Sequence, residues 1–193
     1  MEMQQPAELR WRRAIEAGEL GVWDLRPELE TVHHSPQWKQ RLGFPEPFAA
    51  DSTHFWRCRV HPDDLEPMLD AMRAHARGER PSYEAQFRLR SNGSGYRTLH
   101  SRGRVVERDE QGRALRIIGT MLDLTDRPPS PRCTGLAEGC RGAMTVRPIA
   151  QPFHQLLNGG RVDVRERDRI LGLVEDLLLT SLDELEASRI RGA

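Results

Sequence analysis

The chain has 193 residues, 37% hydrophobic and 30% charged, a balance that suits one domain with a modest core plus an appendage. Lys+Arg and Asp+Glu each number 29, so the formal charge is zero and no basic excess argues for sequence-independent nucleic-acid binding. No apolar run approaches the ~20 residues of a membrane span, and three scattered cysteines make no disulfide framework; a reducing cytoplasm is expected.

In chain order, the first predicted element is a helix over residues 7–17. Ala7, Trp11, Ala14 and Ile15 share one face, Pro6 suits the start and Gly18 the stop. The residues before it lack the basic-then-apolar order of a secretory signal. A second helix is predicted from Asp64 to Ala76, with Leu65, Met68, Leu69, Met72 and Ala76 at helical spacing. Asp63 is its expected cap, Glu66 holds the capping-box position and Gly78 ends it.

Three strand-like runs follow. Tyr83, Ala85, Phe87 and Leu89 alternate with polar residues, the period of a strand with one buried face. Asn92-Gly93 and the Gly95 behind it accept positive φ at a hairpin connection. A run from Tyr96 to Val106 leads into a polar loop, where Gly112 marks the next reversal. Leu115, Ile117, Gly119 and Met121 form the third run, and its other face (Ile118, Thr120, Leu122) is also largely apolar, as in an inner strand. Phe87 and Ile117 are expected to point into the core. The run stops abruptly at Asp123-Leu124-Thr125-Asp126-Arg127.

From Pro128 the composition changes. Residues 128–150 are rich in Pro and Gly with no apolar period and read as a linker. Residues 151–193 are helical by pattern. Asp163 with Glu166 is a plausible capping pair, and Ile170, Leu171, Leu173, Val174, Leu177, Leu178, Leu182 and Leu185 cover about half the circumference. Burying that stripe contributes on the order of 10 kcal/mol, so it must meet its own domain, a second copy or another protein. The expectation is a homodimer in which Trp11, Ile170, Val174, Leu177, Leu178 and Leu185 meet a partner.

The meander ending in Asp-Leu-Thr resembles the C-terminal half of a PAS domain, a sensory module. The resemblance runs from about Leu9 to Arg127. Gly21-Val22-Trp23-Asp24-Leu25 resembles the first PAS strand, Val32-His33-His34-Ser35 the end of the second, and Trp38 to Phe44 the helix and turn that follow. Phe55-Trp56 with Val60-His61-Pro62-Asp63-Asp64 resembles the "W…VHPDD" element of one subclass. Arg97-Thr98 departs from the Arg-Trp of many members. The resemblance implies an α+β fold: a five-stranded antiparallel sheet with helices on one face, a flanking N-terminal helix and a C-terminal helical appendage. The implied division is 1–18 flanking helix, 19–127 PAS domain, 128–150 linker and 151–193 amphipathic helix. It also implies a pocket, with Trp23, Trp56, Leu69, Met72, Phe87, Ile117 and Met121 as candidate lining, and a coupling role for Asp123 and Thr125. In relatives that Asp anchors the strand end and the Thr caps an output helix. Pro128-Pro129 and Pro131 argue here against a helix running straight out of the domain.

No other motif calls for chemistry. The His61–Asp64 stretch reads as a helix start. His33 and His34 point to opposite faces of a strand, which argues against joint ligation and for a surface or half-buried pair. Some PAS domains bind haem through a helical His, which makes His75 or His61 the alternative cofactor residue. Helical geometry sets His75 beside the apolar stripe, facing solvent, and no cofactor is predicted. Cys58 lacks the flavin-linked context of light-sensing relatives and reads as a buried structural thiol. Cys133, Cys140 and His154 do not match a zinc knuckle, and no phosphate loop or nucleophile elbow is present. The reading is therefore non-catalytic and without a metal: a stand-alone sensory or adaptor protein that binds a small ligand or a signalling partner. The alternatives are a scaffold used only for association, and a haem sensor.

Overall fold

A computed structural model describes residues 7–44, 48–93, 95–125 and 164–191. Six strands, β1 (Leu20–Arg26), β2 (Thr31–His34), β3 (Asp51–Ser52), β4 (Tyr83–Arg90), β5 (Tyr96–Arg108) and β6 (Ala114–Asp123), form one antiparallel sheet in the order β3-β2-β1-β6-β5-β4. The expected five are present. The sixth, β3, is a two-residue edge strand pairing Asp51 with Val32 and Ser52 with Thr31, too short to carry a period. Five helices complete the described chain: α1 (Ala7–Glu16), α2 (Pro36–Arg41), α3 (Thr53–Arg57), α4 (Pro62–Ala76) and α5 (Val164–Arg191).

Alternation sends side chains to two faces, and both are covered. On the inner face Trp23, Val32, Tyr83, Phe87, Leu89, Leu99, Ile117 and Met121 pack under α2, α3 and α4. On the outer face Leu20, Val22, Val106, Ile118 and Leu122 pack under α1 and α5. Ile170, Val174, Leu178, Leu182 and Leu185 of α5 are each no more than 2% exposed and meet Trp11, Ala14 and Ile15 of α1 on the same sheet. This corrects the expected partner surface. The side chains assigned to a dimer contact, Leu177 included, are buried within their own chain. The outer face of β1 and β6 offers a matching apolar surface already tethered to the helix, so docking there avoids the entropy cost of joining two molecules. The stripe is also narrower than expected, because Leu173 is 39% exposed.

Polar contacts fasten α5 at its rim. Glu184 accepts from Arg102 Nη1 at 2.6 Å and lies 2.9 Å from His100 Nδ1, while His100 Nε2 lies 2.8 Å from Glu84 of β4. Arg10 and Glu186 pair between α1 and α5, and Arg189 pairs with Glu19. Burial pushes the Glu184 carboxyl up, but its bonds to His100 and Arg102 and their charges outweigh this and hold it below the usual range.

The outer face also buries an ion pair. Arg116 (1% exposed) donates through Nε to Asp24 Oδ1 at 3.0 Å and through Nη2 to Oδ2 at 2.5 Å, with Asp24 only 3% exposed. The inner-strand reading of β6 passed over Arg116, since a single cation in an apolar run carries no trace of its partner 92 residues away.

The α4 cap differs from the expected one. The helix starts at Pro62, and His61 Nδ1 accepts the Asp63 amide at 3.3 Å. Asp64 accepts instead from the Arg88 amide and from its guanidinium, at 2.8 Å each, tying α4 to β4. The Arg88 bonds hold its carboxyl down at about 2.

Candidate functional site

Between the inner sheet face and helices α3 and α4 lies a cavity of about 420 Å³, within the size range of small-molecule sites. Trp23 forms its floor. In register, Trp23 of β1 faces Gly119 of β6, which faces Gly103 of β5. A methyl at Gly119 would lie 2.1 Å from the Trp23 ring and 2.2 Å from the Arg102 carbonyl oxygen; at Gly103, 2.6 Å from the ring. The two glycines therefore let the indole lie flat across three strands. Its Nε1 donates to Ser101 Oγ at 3.0 Å and makes a longer approach to the Thr120 carbonyl at 3.3 Å. Tyr83 meets Trp23 edge to face at 5.9 Å, and burial, opposed only in part by the Ser101 hydroxyl, pushes its own hydroxyl well above the usual range.

The opposite wall is Trp56, whose Nε1 donates to Asp51 Oδ2 at 3.0 Å. Asp51 also binds the buried Lys39 ammonium at 3.0 Å. His34 lies against Trp56 with centroids 4.1 Å apart and the rings tilted by 39°. Leu69, Met72 and Met68 from α4 close the top, and Phe87, Ile117 and Met121 rise from the sheet.

All seven residues expected as pocket lining are thus brought around one space: Trp23, Trp56, Leu69, Met72, Phe87, Ile117 and Met121. Sequence reasoning missed His34, Tyr83, Ser101 and Arg57. Tyr83 was legible, because it shares the alternation of Phe87. His34, expected at the surface or half-buried, is 5% exposed, since β2 lies against Trp56.

The two haem candidates do not face the cavity. His75 is a correction: it is 4% exposed, not solvent-facing. Its Nε2 accepts the Val105 amide at 3.0 Å and its Nδ1 lies 2.8 Å from the Arg80 carbonyl, so both nitrogens are engaged. Burial pushes its pKa below the ordinary histidine value. The β5 strand comes close enough to convert a side position on α4 into a buried one. His61 caps α4 and lies 5.0 Å from the Tyr96 ring. These positions do not fit haem ligation in the cavity.

Asp123 and Thr125 lock the end of β6. Asp123 accepts from the Thr125 hydroxyl at 2.6 Å and from Arg97 Nε at 2.5 Å, while Thr125 Oγ1 accepts the Thr98 amide at 3.0 Å. The anchoring half of their expected role has this geometry; a helix after Thr125 falls outside the described residues. Cys58, expected to be buried, is exposed at the end of α3, with Sγ 3.3 Å from His54 Nε2. The linker over 128–150, Asp163, and the Cys133, Cys140 and His154 readings lie outside the described residues, as does the Glu166 side chain. Among the described residues, no group of three His, Cys, Asp or Glu is placed to hold a metal ion, and no helix is long and apolar enough to cross a membrane.

Residues 31–121 match the family model described as the PAS fold. The chain contains a PAS domain. The crystal structure of a sensory box histidine kinase/response regulator from Burkholderia thailandensis E264 is similar to it at 26% identity and a TM-score of 0.51, covering 61% of this chain and 86% of that one. The N-terminal domain of a diguanylate cyclase with PAS/PAC sensor from Marinobacter aquaeolei shares 24% identity over 55% of this chain and 95% of that one, with a TM-score of 0.48. No curated protein matches the chain. The PAS region of this chain comprises β2 to β6, and with β1 it encloses the cavity.

Proposed function

We propose that this PAS domain is the sensory part of a signalling protein, taking up a small molecule in the inner cavity and reporting it through α5. The observation that carries the reading is the double role of β6. Ile117 and Met121 face the cavity, while Ile118, Thr120 and Leu122 of the same strand face the outer helices. Thr120 joins the two sides. Its carbonyl is approached by the Trp23 indole on the cavity floor, and its hydroxyl lies 2.6 Å from Ser181 Oγ of α5. A ligand that moves Trp23 thus alters the bond that seats α5. The mostly apolar and aromatic lining supports a role in binding. The sensory kinase relative from Burkholderia supports a sensory assignment.

The test is native mass spectrometry of the purified protein for a co-purified small molecule, followed by hydrogen exchange of residues 170–185 with and without it. Changed protection in α5 is the expected result. Protection that stays the same while the cavity fills would leave α5 a static cover and end the coupling reading.

A further inference from the structure

We infer that the ligand is an apolar molecule bearing one carboxylate-like anion, and that Arg57 is the residue that reads the anion. This rests on the ligand-binding reading above and adds a chemical class to it. The cavity walls divide by exposure. Trp23, Trp56, Tyr83, Phe87, Ile117 and Met121 are buried, and no carboxylate is among the described residues that line the space. The two lining residues that are solvent-exposed are both arginines, Arg57 at the end of α3 and Arg73 on α4. An apolar body seated among the rings therefore presents its outer end to two guanidinium groups.

The two arginines differ. Arg73 donates to Glu66 at 2.9 Å and to the Leu69 carbonyl at 3.2 Å, and Asp70 lies 3.4 Å away, so its charge is already answered. Arg57 has no side-chain hydrogen bond or ion pair with any described residue. Its planar fork can meet both oxygens of a carboxylate, which an alcohol of the same shape cannot use. Because Arg57 is exposed, water and salt screen the pair, and its worth is that of a partly desolvated contact rather than a buried one. Two bonds fix the helix that carries Arg57. Ser52 Oγ caps α3 at the Phe55 amide, and Trp56 is bonded to Asp51.

The experiment uses the full chain and two matched pairs of probes: decanoate with decanol, and 2-naphthoate with 2-naphthalenemethanol. Trp23 and Trp56 line the cavity, so tryptophan fluorescence reads occupancy, with thermal shift as a second readout. The ratio of acid to alcohol affinity cancels the contribution of the apolar body. That ratio should fall about tenfold in Arg57→Gln at low salt, the size of a charge-assisted hydrogen bond. It should fall less than about threefold in Arg73→Gln, whose charge is already paired. The effect in either pair supports the inference and tells an aliphatic from an aromatic body. A ratio unmoved by Arg57→Gln overturns the anion assignment while leaving the cavity as a neutral-ligand site. Failure of all four probes to bind overturns the cavity reading as well.

Discussion

The two faces of the sheet are made by the same strands, yet one is closed and the other retains space. On the outer face, α1 and α5 seat Leu and Ile side chains directly on β1 and β6, and residues such as Ile170, Val174 and Leu185 are fully buried. On the inner face large rings stand apart around about 420 Å³, with half-buried Met68, Leu69 and Met72 closing the top. The difference teaches that burial and packing are separate properties. On the outer face α1 and α5 press their buried side chains onto β1 and β6, whereas on the inner face α3 and α4 stand over the strands with the cavity between.

The sharpest way to break the outer face is through its buried ion pair. Asp24→Ala removes the carboxylate that faces the buried Arg116 guanidinium and should cost ~3–5 kcal/mol by urea denaturation, whereas replacing both residues with apolar ones should recover most of it. Leu178→Ala, at a 1% exposed site on α5, should cost ~3 kcal/mol and speed hydrogen exchange along the helix. On the inner face Gly119→Ala should cost ~2–3 kcal/mol, because the carbonyl of Arg102 cannot retreat and the Trp23 ring must tilt; a shifted tryptophan emission would report it. Met72→Phe tests the opposite property. It should change stability by no more than about 1 kcal/mol, since the ring can enter the cavity, while weakening ligand uptake.

Acidification separates the faces in order. His75 has its pKa lowered by burial, so the unfolded chain takes up this proton first; stability is whole above the ordinary histidine value and falls as pH drops below it. Its Nε2 is then lost as the acceptor for the Val105 amide, and the α4–β5 contact loosens. Glu184 is also held low, so its contribution persists until the pH falls through the carboxylate range, where α5 loosens. Residue-resolved hydrogen exchange from neutral pH downward should show Val105 protection failing before that of α5; the reverse order would contradict this assignment.

Much of the inner face is legible in the sequence. The alternation of Tyr83, Phe87 and Leu89, the Asn92-Gly93 turn and the two-faced apolar run of β6 express local backbone geometry, which each short segment carries by itself. The family resemblance adds seven candidate lining residues, and the fold brings them around one space. Three features are not legible, and each depends on a neighbour distant in sequence. Arg116 finds Asp24 across β1 and β6, His75 is buried by Val105 of β5, and Trp23 lies flat only because Gly103 and Gly119 arrive beside it from two other strands.

The apolar stripe of α5 marks the same division most plainly. Its residues, spaced at the helical period, determined that a helix would form and that one side must leave water, because both follow from local geometry and transfer free energy. Which surface would cover it was a choice among three. Only the tertiary structure decided for the outer face of β1 and β6, because that surface is assembled from residues 20–22 and 118–122 and exists in no single segment of the chain.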